Sequence, residues 1–257
     1  EGIPRRVRRD RGKSRAAGHL GWNMTTMTRR LLAEALGAAL LLYVVVGSGI
    51  AAQSQTADQG LQLFAHAITV GLGLGALIAT FIAVSGSHFN PAVTLGMWRA
   101  DQISGSEAAA YMAAQLGGAV VGVAAANVSF ARAPISISTS VRGDPGMVMA
   151  EAVVTFVLVL LILALVESGR IGAIPAAVGA WIAAAIFSTA STGFANPAVT
   201  VARMFTDSYT GIDPSSIPGF VLAQLVAGLL AGYVARSLFH PERHQQTTTP
   251  QSMEDAP

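Results

Sequence analysis

Two copies of the tripeptide Asn-Pro-Ala are the residues of this chain whose types and spacing could do chemistry. They stand at Asn90-Pro91-Ala92 and Asn196-Pro197-Ala198, and each continues as Val-Thr. Proline suits the first position of a helix, and an asparagine before it can cap the helix. The amide NH2 of such an asparagine carries two hydrogen-bond donors. The motifs therefore predict two helix starts, each presenting donors to a hydroxyl or water oxygen.

A single Asn-Pro-Ala could be an ordinary turn in which the asparagine does no more than cap a helix. The repetition makes this explanation the weaker one. Both copies extend to Asn-Pro-Ala-Val-Thr, and a segment rich in Ser, Thr and Gly precedes each of them. Two matched segments are more simply explained as two halves of one functional site.

The elements that must position these motifs are membrane helices. Hydrophobic residues make up 52% of the 257 residues and charged residues only 12%, against about 25% charged in soluble proteins. Apolar stretches of about 20 residues, long enough to cross about 30 Å of hydrocarbon, recur along the chain. The composition excludes a soluble globular protein. Cysteine is absent, which excludes disulfides, thiolate metal sites and cysteine nucleophiles.

The hydrophobic pattern predicts six spans and two shorter pieces. The spans are expected at about residues 29–51, 61–84, 107–128, 147–166, 171–190 and 217–239. The shorter pieces, residues 91–98 and 197–205, begin at the prolines of the two motifs and cannot cross a bilayer. They are interpreted as re-entrant half-helices, which enter the membrane and return to the same side.

An internal repeat organises the spans. Three matches occur in the same order in both halves of the chain. They pair Leu32-Ala33-Glu34-Ala35 with Met149-Ala150-Glu151-Ala152, the two Asn-Pro-Ala-Val-Thr segments with each other, and Ala114-Gln115-Leu116 with Ala223-Gln224-Leu225. Three spans per half is an odd number, so the second half is inverted in the membrane. Inversion predicts that the two half-helices meet tip to tip near the midplane.

The domain plan follows from these spans. A channel domain is predicted over residues 29–239, with a first repeat at 29–128 and a second at 147–239. A disordered basic tail is expected at residues 1–28 and a disordered polar tail at 240–257. Thirteen of the sixteen Lys and Arg residues fall on the side of the two termini. By the positive-inside rule, both termini are expected in the cytoplasm.

The two half-helices predict a lumen that excludes cations. Non-helical backbone is tolerated at membrane depth only where protein or a water-filled cavity satisfies it. Each half-helix turns its N-terminus, with roughly half a positive charge, towards the midplane. Asn90 and Asn196 add amide donors there. Such a site favours neutral solutes that can hydrogen-bond.

On these residues the chain resembles the major intrinsic protein family, the aquaporins and glycerol facilitators, over about residues 31–239. The resemblance implies an all-α membrane protein with an aquaporin-like bundle of six transmembrane helices and two re-entrant half-helices. It also implies one pore per protomer and a homotetramer in the lipid bilayer. A passive channel needs no cofactor or metal, catalyses no reaction and binds no nucleic acid.

Two acidic residues and two histidines lie inside apolar segments. Ionisable groups there are costly and are functional or paired by default. For Glu34 and Glu151 the resemblance implies a structural role, in which they accept backbone hydrogen bonds from the half-helix loops; proton transfer is the alternative. His88 matches a histidine common before the first motif of the family and is expected to line the cytoplasmic vestibule. His66 has no evident counterpart, and no site is assigned to it.

The outer constriction is where the sequence departs from its relatives. In water channels, the resemblance implies, a filter combines an aromatic residue of the second span, a histidine of the fifth, and an arginine directly after the second motif. Here the corresponding positions hold Val70, either Ile186 or Ala184, and Val199, and the fourth filter position is Gly193. The filter is therefore expected to be wide and apolar and to pass solutes larger than water.

Arg203 lies four residues beyond Val199, on the same helix face and one turn nearer the outer mouth. It is expected in the outer vestibule, where it could replace part of the missing charge. The alternative is that Arg203 pairs with Asp207, four residues further on, or contacts lipid headgroups.

The segment from Thr192 to Arg203 looks most like a bacterial subgroup associated with arsenic resistance, in which valine also replaces the arginine. This resemblance implies a bacterial cytoplasmic membrane protein that passes arsenite or methylated arsenicals, with water and glycerol as further solutes. Glycerol facilitators keep the arginine and follow it with aspartate, whereas here Val199-Thr200 takes those places. The alternatives are a general water and polyol channel and a structural or adhesion protein with little conduction.

Overall fold

Six long helices and two short ones form the part of the chain that the structure, a computed structural model, describes, namely residues 25–239. The predicted tails lie outside these residues except for residues 25–28. The long helices are α1 (Thr26–Gln55), α2 (Gln59–Ser85), α4 (Gly105–Ser129), α5 (Pro145–Glu167), α6 (Ile174–Ser188) and α8 (Ile217–Phe239). The short ones, α3 (Pro91–Arg99) and α7 (Pro197–Ala202), begin at the motif prolines. Short 3₁₀ turns at Ile171–Ala173, Arg203–Phe205 and Pro214–Ser216 adjoin α6, α7 and α8.

The predicted fold class, an all-α bundle of six spans and two half-helices, is confirmed. Six helices are long and apolar enough to cross a membrane, and their ends lie within four residues of the predicted ones. The largest difference is at the end of α1, predicted at Ala51 and found at Gln55. The last turn is polar, with the sequence Gln53-Ser54-Gln55, so hydrophobicity alone stops short of the helix end.

The helices pack as two inverted repeats that exchange their half-helices. In the first repeat α1 packs on α2 and α4, and in the second α5 packs on α6 and α8. The α2 and α6 helices join the repeats. The first half-helix, α3, packs on α8 of the other repeat, and α7 packs on α4. We call the face with the start of α1 and the end of α8 the terminal face, and the opposite face the distal face.

Glycines allow the close approach of α1 and α4. A Cβ atom added to Gly118 would lie 2.1 Å from the carbonyl oxygen of Ala35, and one added to Gly122 would lie 2.0 Å from that of Ala39. Small residues at such contacts are typical of membrane helices, because they let two backbones touch. Because these glycines have no side chain, α4, which carries Gln115, can lie directly against α1, which carries Glu34.

Neighbouring glycines of α4 provide a matched test of this contact. We expect Gly118→Ala to lower the free energy of unfolding by about 1–3 kcal/mol, the usual cost of overpacking, because the helices must separate. Gly117→Ala should be neutral or slightly stabilising, because that glycine is exposed and its added Cβ would meet nothing within 4 Å. Thermal melting of the detergent-purified protein measures both. Equal melting temperatures for the two variants would contradict the assigned packing.

Candidate functional site

The loop before each motif has an unusual backbone that repeats between the two halves. Ser87 and Phe89 have φ of 53° and 48°, and their counterparts Gly193 and Ala195 have φ of 55° and 48°. Non-glycine residues rarely adopt these left-handed values, which cost of order 1 kcal/mol each. The surrounding structure must therefore hold both loops in place.

Glu34 holds the first loop. Its side chain is fully buried and accepts hydrogen bonds from the backbone N–H groups of His88 (3.0 Å) and Phe89 (2.7 Å). The Ser85 hydroxyl (2.6 Å) and the Gln115 amide (2.7 Å) donate to the same carboxylate. A carboxylate has only acceptor atoms, so it suits this set of four donors.

Glu151 holds the second loop in the same way. It is also fully buried and accepts from the backbone N–H groups of Phe194 (2.9 Å) and Ala195 (2.8 Å). The Gln224 amide donates to it at 2.6 Å. Within the described residues, the partners of the two carboxylates are backbone N–H groups of the loops and side chains of the helices.

Each glutamine also links its glutamate to a half-helix. The Gln115 amide donates to the hydroxyl of Thr94 in α3 at 2.9 Å, and the Gln224 amide donates to that of Thr200 in α7 at 2.9 Å. These residues belong to the three sequence matches of the repeat. The repeated segments are therefore the parts of two equivalent networks, each joining two spans to a loop and a half-helix.

The motif asparagines bond across the two repeats. The Asn90 amide donates to the carbonyl oxygen of Ala195 at 2.7 Å, and the Asn196 amide donates to that of Phe89 at 2.8 Å. Each Oδ1 caps its own half-helix by accepting from Ala92 or Ala198. The expectation that both amide hydrogens serve a solute is wrong. One hydrogen of each amide holds the repeats together, and one is left for the lumen.

A cavity of about 250 Å³ runs past both asparagines. Its lining extends from Val166 and Ile171 near the terminal face to His66 and Arg203 near the distal face. Most of the lining side chains are aliphatic and recur every three or four residues along the helices. They include Leu41, Val45, Val70, Leu74, Ile78, Ile82, Val93, Leu158, Ile162, Ile174, Val178, Ile182, Ile186 and Val199. Polar contacts along this path are few.

The structure brings the four predicted filter positions to this cavity. Val70, Ile186, Gly193 and Val199 all line it, on the distal side of the asparagines. The helical phase of α6 decides between the two candidates of the fifth span, because Ile186 is buried at the cavity and Ala184 is exposed on the outside of the protomer. The filter positions thus present three aliphatic side chains and one glycine.

His88 also lies where the sequence placed it, beside the cavity and before the first motif. Its Nδ1 is 3.1 Å from the Thr94 hydroxyl, and its ring lies edge-on to that of Tyr111, with 5.3 Å between centroids. The Tyr111 hydroxyl donates to the carbonyl oxygen of Ser85 at 2.9 Å. The histidine is thus fixed to the terminal side of the lumen.

Arg203 points into the cavity and does not pair with Asp207. It is 3% exposed, its Nε donates to the carbonyl oxygen of Thr210, and its guanidinium lies 3.4 Å from the centre of the Phe194 ring. The Asp207 carboxylate instead accepts from the backbone of Thr139 at 3.3 Å. Burial also separates Arg203 from lipid headgroups. The filter at Val199 is apolar, as predicted, but the mouth one helical turn further out carries the charge of Arg203.

Sequence reasoning missed three residues of the distal mouth. His66 lines the cavity one helical turn beyond Val70, and Phe194 lies under the Arg203 guanidinium. Arg142 reaches the mouth from the segment between α4 and α5 and lies 5.4 Å from the same ring. The i−4 spacing of His66 from Val70 could have shown the first of these. Arg142 carries no such signal.

A second cavity, of about 650 Å³, opens on the distal face. Gln62, Arg142 and Tyr209 are among its lining residues, and Thr192 lines both cavities, so the two meet there. Burial lowers the pKa of the Arg142 guanidinium and raises the pKa of the Tyr209 phenol. An arginine guanidinium is not deprotonated in proteins, so Arg142 is a cation. No group of three or more His, Cys, Asp or Glu that could hold a metal is found within residues 25–239.

The geometry has a counterpart among known proteins. The sequence model of the major intrinsic protein family matches residues 21–195, which is more than half of the chain. The chain belongs to the major intrinsic protein family. It is a multi-pass membrane channel for water and small solutes rather than an enzyme.

Individual relatives agree with this assignment to the major intrinsic proteins. "Aquaglyceroporin AqpS" of Rhizobium meliloti (strain 1021) is 44% identical over 217 residues, covering 84% of this chain and 93% of the relative. "Probable aquaporin TIP2-2" of Oryza sativa subsp. japonica is 33% identical over 222 residues, covering 81% and 86%. The X-ray structure of the aquaglyceroporin from Plasmodium falciparum superposes with a TM-score of 0.68 at 20% identity, covering 84% and 98%, which shows the shared fold.

The two acidic residues of α5 test the bracing of the half-helix loop. We expect Glu151→Gln to lower the free energy of unfolding by at least about 1.5 kcal/mol, because hydrogen bonds to a charged group contribute about 1.5–3 kcal/mol each and the new NH2 would face backbone donors. Glu167→Gln is the matched control, because Glu167 lies half-buried at the far end of the same helix, where its carboxylate accepts from the side chain of Gln102 at 3.0 Å. Melting of the purified variants measures the difference. A Glu151→Gln protein as stable as the control would contradict the bracing role.

Proposed function

We propose that this chain is a passive channel for neutral polyhydroxy solutes of about glycerol size, with arsenite and methylated arsenicals as leading solutes and water and glycerol as further ones. The observation that carries the proposal is the filter, where Val70, Ile186, Gly193 and Val199 face the lumen. None of these residues supplies a side-chain donor or an aromatic ring. A wide filter of this kind selects weakly by hydrogen bonding and admits solutes larger than water.

The lumen suits solutes that carry several hydroxyl groups. Aliphatic side chains face the carbon or metalloid side of a solute, and the remaining amide hydrogens of Asn90 and Asn196 can donate to its oxygens. The N-termini of α3 and α7 add positive potential at the same depth. A neutral hydroxide such as arsenous acid can accept hydrogen bonds there and, being uncharged, has no large desolvation cost. A cation has that cost and is also repelled by the positive potential.

The proposed setting is the cytoplasmic membrane of a bacterium, with both termini in the cytoplasm and the distal face outside. The excess of basic residues on the terminal side supports this orientation. The bacterial AqpS relative supports the source. We further propose a homotetramer with one pore in each protomer, with Glu34 and Glu151 as structural residues and His88 and Arg203 in the two vestibules.

A general water and polyol channel is the second candidate. The relative "Aquaglyceroporin AqpS" favours it by its name, since that name mentions glycerol and no metalloid. The two candidates share the same lumen. They differ in whether a metalloid hydroxide is admitted faster than glycerol, which flux measurements distinguish.

Flux through proteoliposomes separates these candidates. We expect arsenite and glycerol to enter vesicles that contain the protein several times faster than they enter empty vesicles. The reason is that the filter has no bulky or charged side chain to exclude them. Water, glycerol and arsenite are measured side by side in the same preparation. Arsenite entry no faster than through empty vesicles, together with rapid glycerol entry, would leave the general polyol channel as the function.

Residue Val199 tests whether the filter sets the solute range. Val199→Arg should slow arsenite and glycerol at least about tenfold, equivalent to about 1.4 kcal/mol of added barrier, and should spare water, because the guanidinium narrows the lumen. Val199→Leu, which adds bulk without charge, should slow both solutes less. Unchanged solute fluxes in a folded Val199→Arg protein would show that the constriction lies elsewhere.

A further inference from the structure

Three basic side chains meet at the distal mouth, and one short loop segment contacts all of them. The Arg142 Nε donates to the carbonyl oxygen of Gly211 at 2.9 Å, and its Nη2 to that of Tyr209 at 3.2 Å. The Arg203 Nε donates to the carbonyl oxygen of Thr210. The His66 ring lies edge-on to the Tyr209 ring, with 5.9 Å between centroids. Residues 209–211 thus fix the positions of His66, Arg142 and Arg203 together.

The two guanidiniums have no carboxylate partner among residues 25–239. Both lie against the Phe194 ring, Arg203 at 3.4 Å and Arg142 at 5.4 Å from its centre. Arg203 is 97% buried, since it is 3% exposed, and within the described chain its two Nη groups make no hydrogen bond. A buried cation without a direct ion pair is costly. The Glu151 carboxylate attracts both guanidiniums, but its oxygens accept from the N–H groups of Phe194 and Ala195. The pair therefore leaves fixed positive charge and free donors at the mouth.

His66 adds a further group on the opposite wall. Its Nδ1 bonds the Ser48 hydroxyl at 2.8 Å, which leaves Nε2 without a partner in residues 25–239. His66 lies four residues before Val70, and Arg203 lies four residues after Val199. Because α2 runs inward from the distal face and α7 runs outward, both are displaced by one turn towards the same mouth. The polar groups thus form a separate layer outside the filter.

We propose that His66, Arg142 and Arg203 form a binding site for a small oxyanion at the distal mouth of the lumen. A planar guanidinium matches two oxygens of such an anion at once. Thr192 lines both the second cavity, which we call the distal vestibule, and the lumen. The two cavities meet there, so an anion can enter the site from the distal face. Beyond it the aliphatic filter offers no donors, so an anion is held at the mouth. The consequence for transport, a block of solute entry, rests on the proposed function.

Direct binding tests the site without reference to transport. The probe is methylphosphonate, a small oxyanion, added to the detergent-purified full chain and followed by calorimetry. We expect saturable binding to the unmodified protein. Arg203→Gln and Arg142→Gln should each raise the Kd at least about tenfold, as loss of a charged hydrogen-bond donor does.

Arg132→Gln is the matched control. Arg132 is exposed and lines the second cavity, so this substitution removes one positive charge from the same face without altering the contacts to the Phe194 ring. Its Kd should stay within about twofold of the unmodified protein, since an exposed charge contributes little. Arg142→Gln removes a half-exposed loop side chain, so it remains informative if Arg203→Gln does not fold. Absence of saturable binding, or equal loss in all three variants, would overturn the proposal.

Glycerol flux with methylphosphonate on both sides of the vesicle completes the test. We expect the anion to slow glycerol entry in the unmodified protein and to have at least about tenfold weaker effect in Arg142→Gln. A protein that binds the anion but passes no glycerol contradicts the proposed function alone. One that passes glycerol and binds no anion contradicts the oxyanion site alone.

Discussion

The reciprocal hydrogen bonds between each motif asparagine and a carbonyl of the other repeat are the contacts on which the rest of the structure depends. They join Asn90 to Ala195 and Asn196 to Phe89, where the non-helical loops before the two half-helices meet. The left-handed loop residues, the buried glutamates and the half-helix caps are all arranged so that these bonds can form. Without them, each loop would be held mainly by the glutamate of its own repeat.

In the channel that we propose, this arrangement separates two tasks along one lumen. At the centre, the converging half-helix N-termini oppose cations by fixed positive potential. Further towards the distal face, the proposed filter selects by size, because Val70, Ile186 and Val199 offer only aliphatic surface. The basic layer of His66, Arg142 and Arg203 lies outside the filter. Positive charge therefore lies at the distal mouth and at the centre of the lumen, and the filter between them is uncharged.

Much of this architecture could be predicted from the sequence, because its signals are local or repeated. Span length, the motif prolines and the placement of Glu34 and Glu151 in matched segments each follow from spacing. Two kinds of feature could not be predicted. The use of one amide hydrogen by a carbonyl 105 residues away depends on how the repeats meet. The position of Arg142 depends on a tertiary contact, its hydrogen bonds to the carbonyl oxygens of Tyr209 and Gly211. Helical phase alone, once the structure supplied it, separated Ile186 from Ala184.

Proton conductance measured beside glycerol flux tests the central claim most directly. Vesicles containing the purified protein are given a pH gradient with a potassium clamp, and proton entry is followed in the same preparation that passes glycerol. The two half-helix N-termini predict rapid glycerol entry with proton entry no faster than in empty vesicles. Proton entry that rises with the amount of protein, while glycerol still passes, would contradict the account.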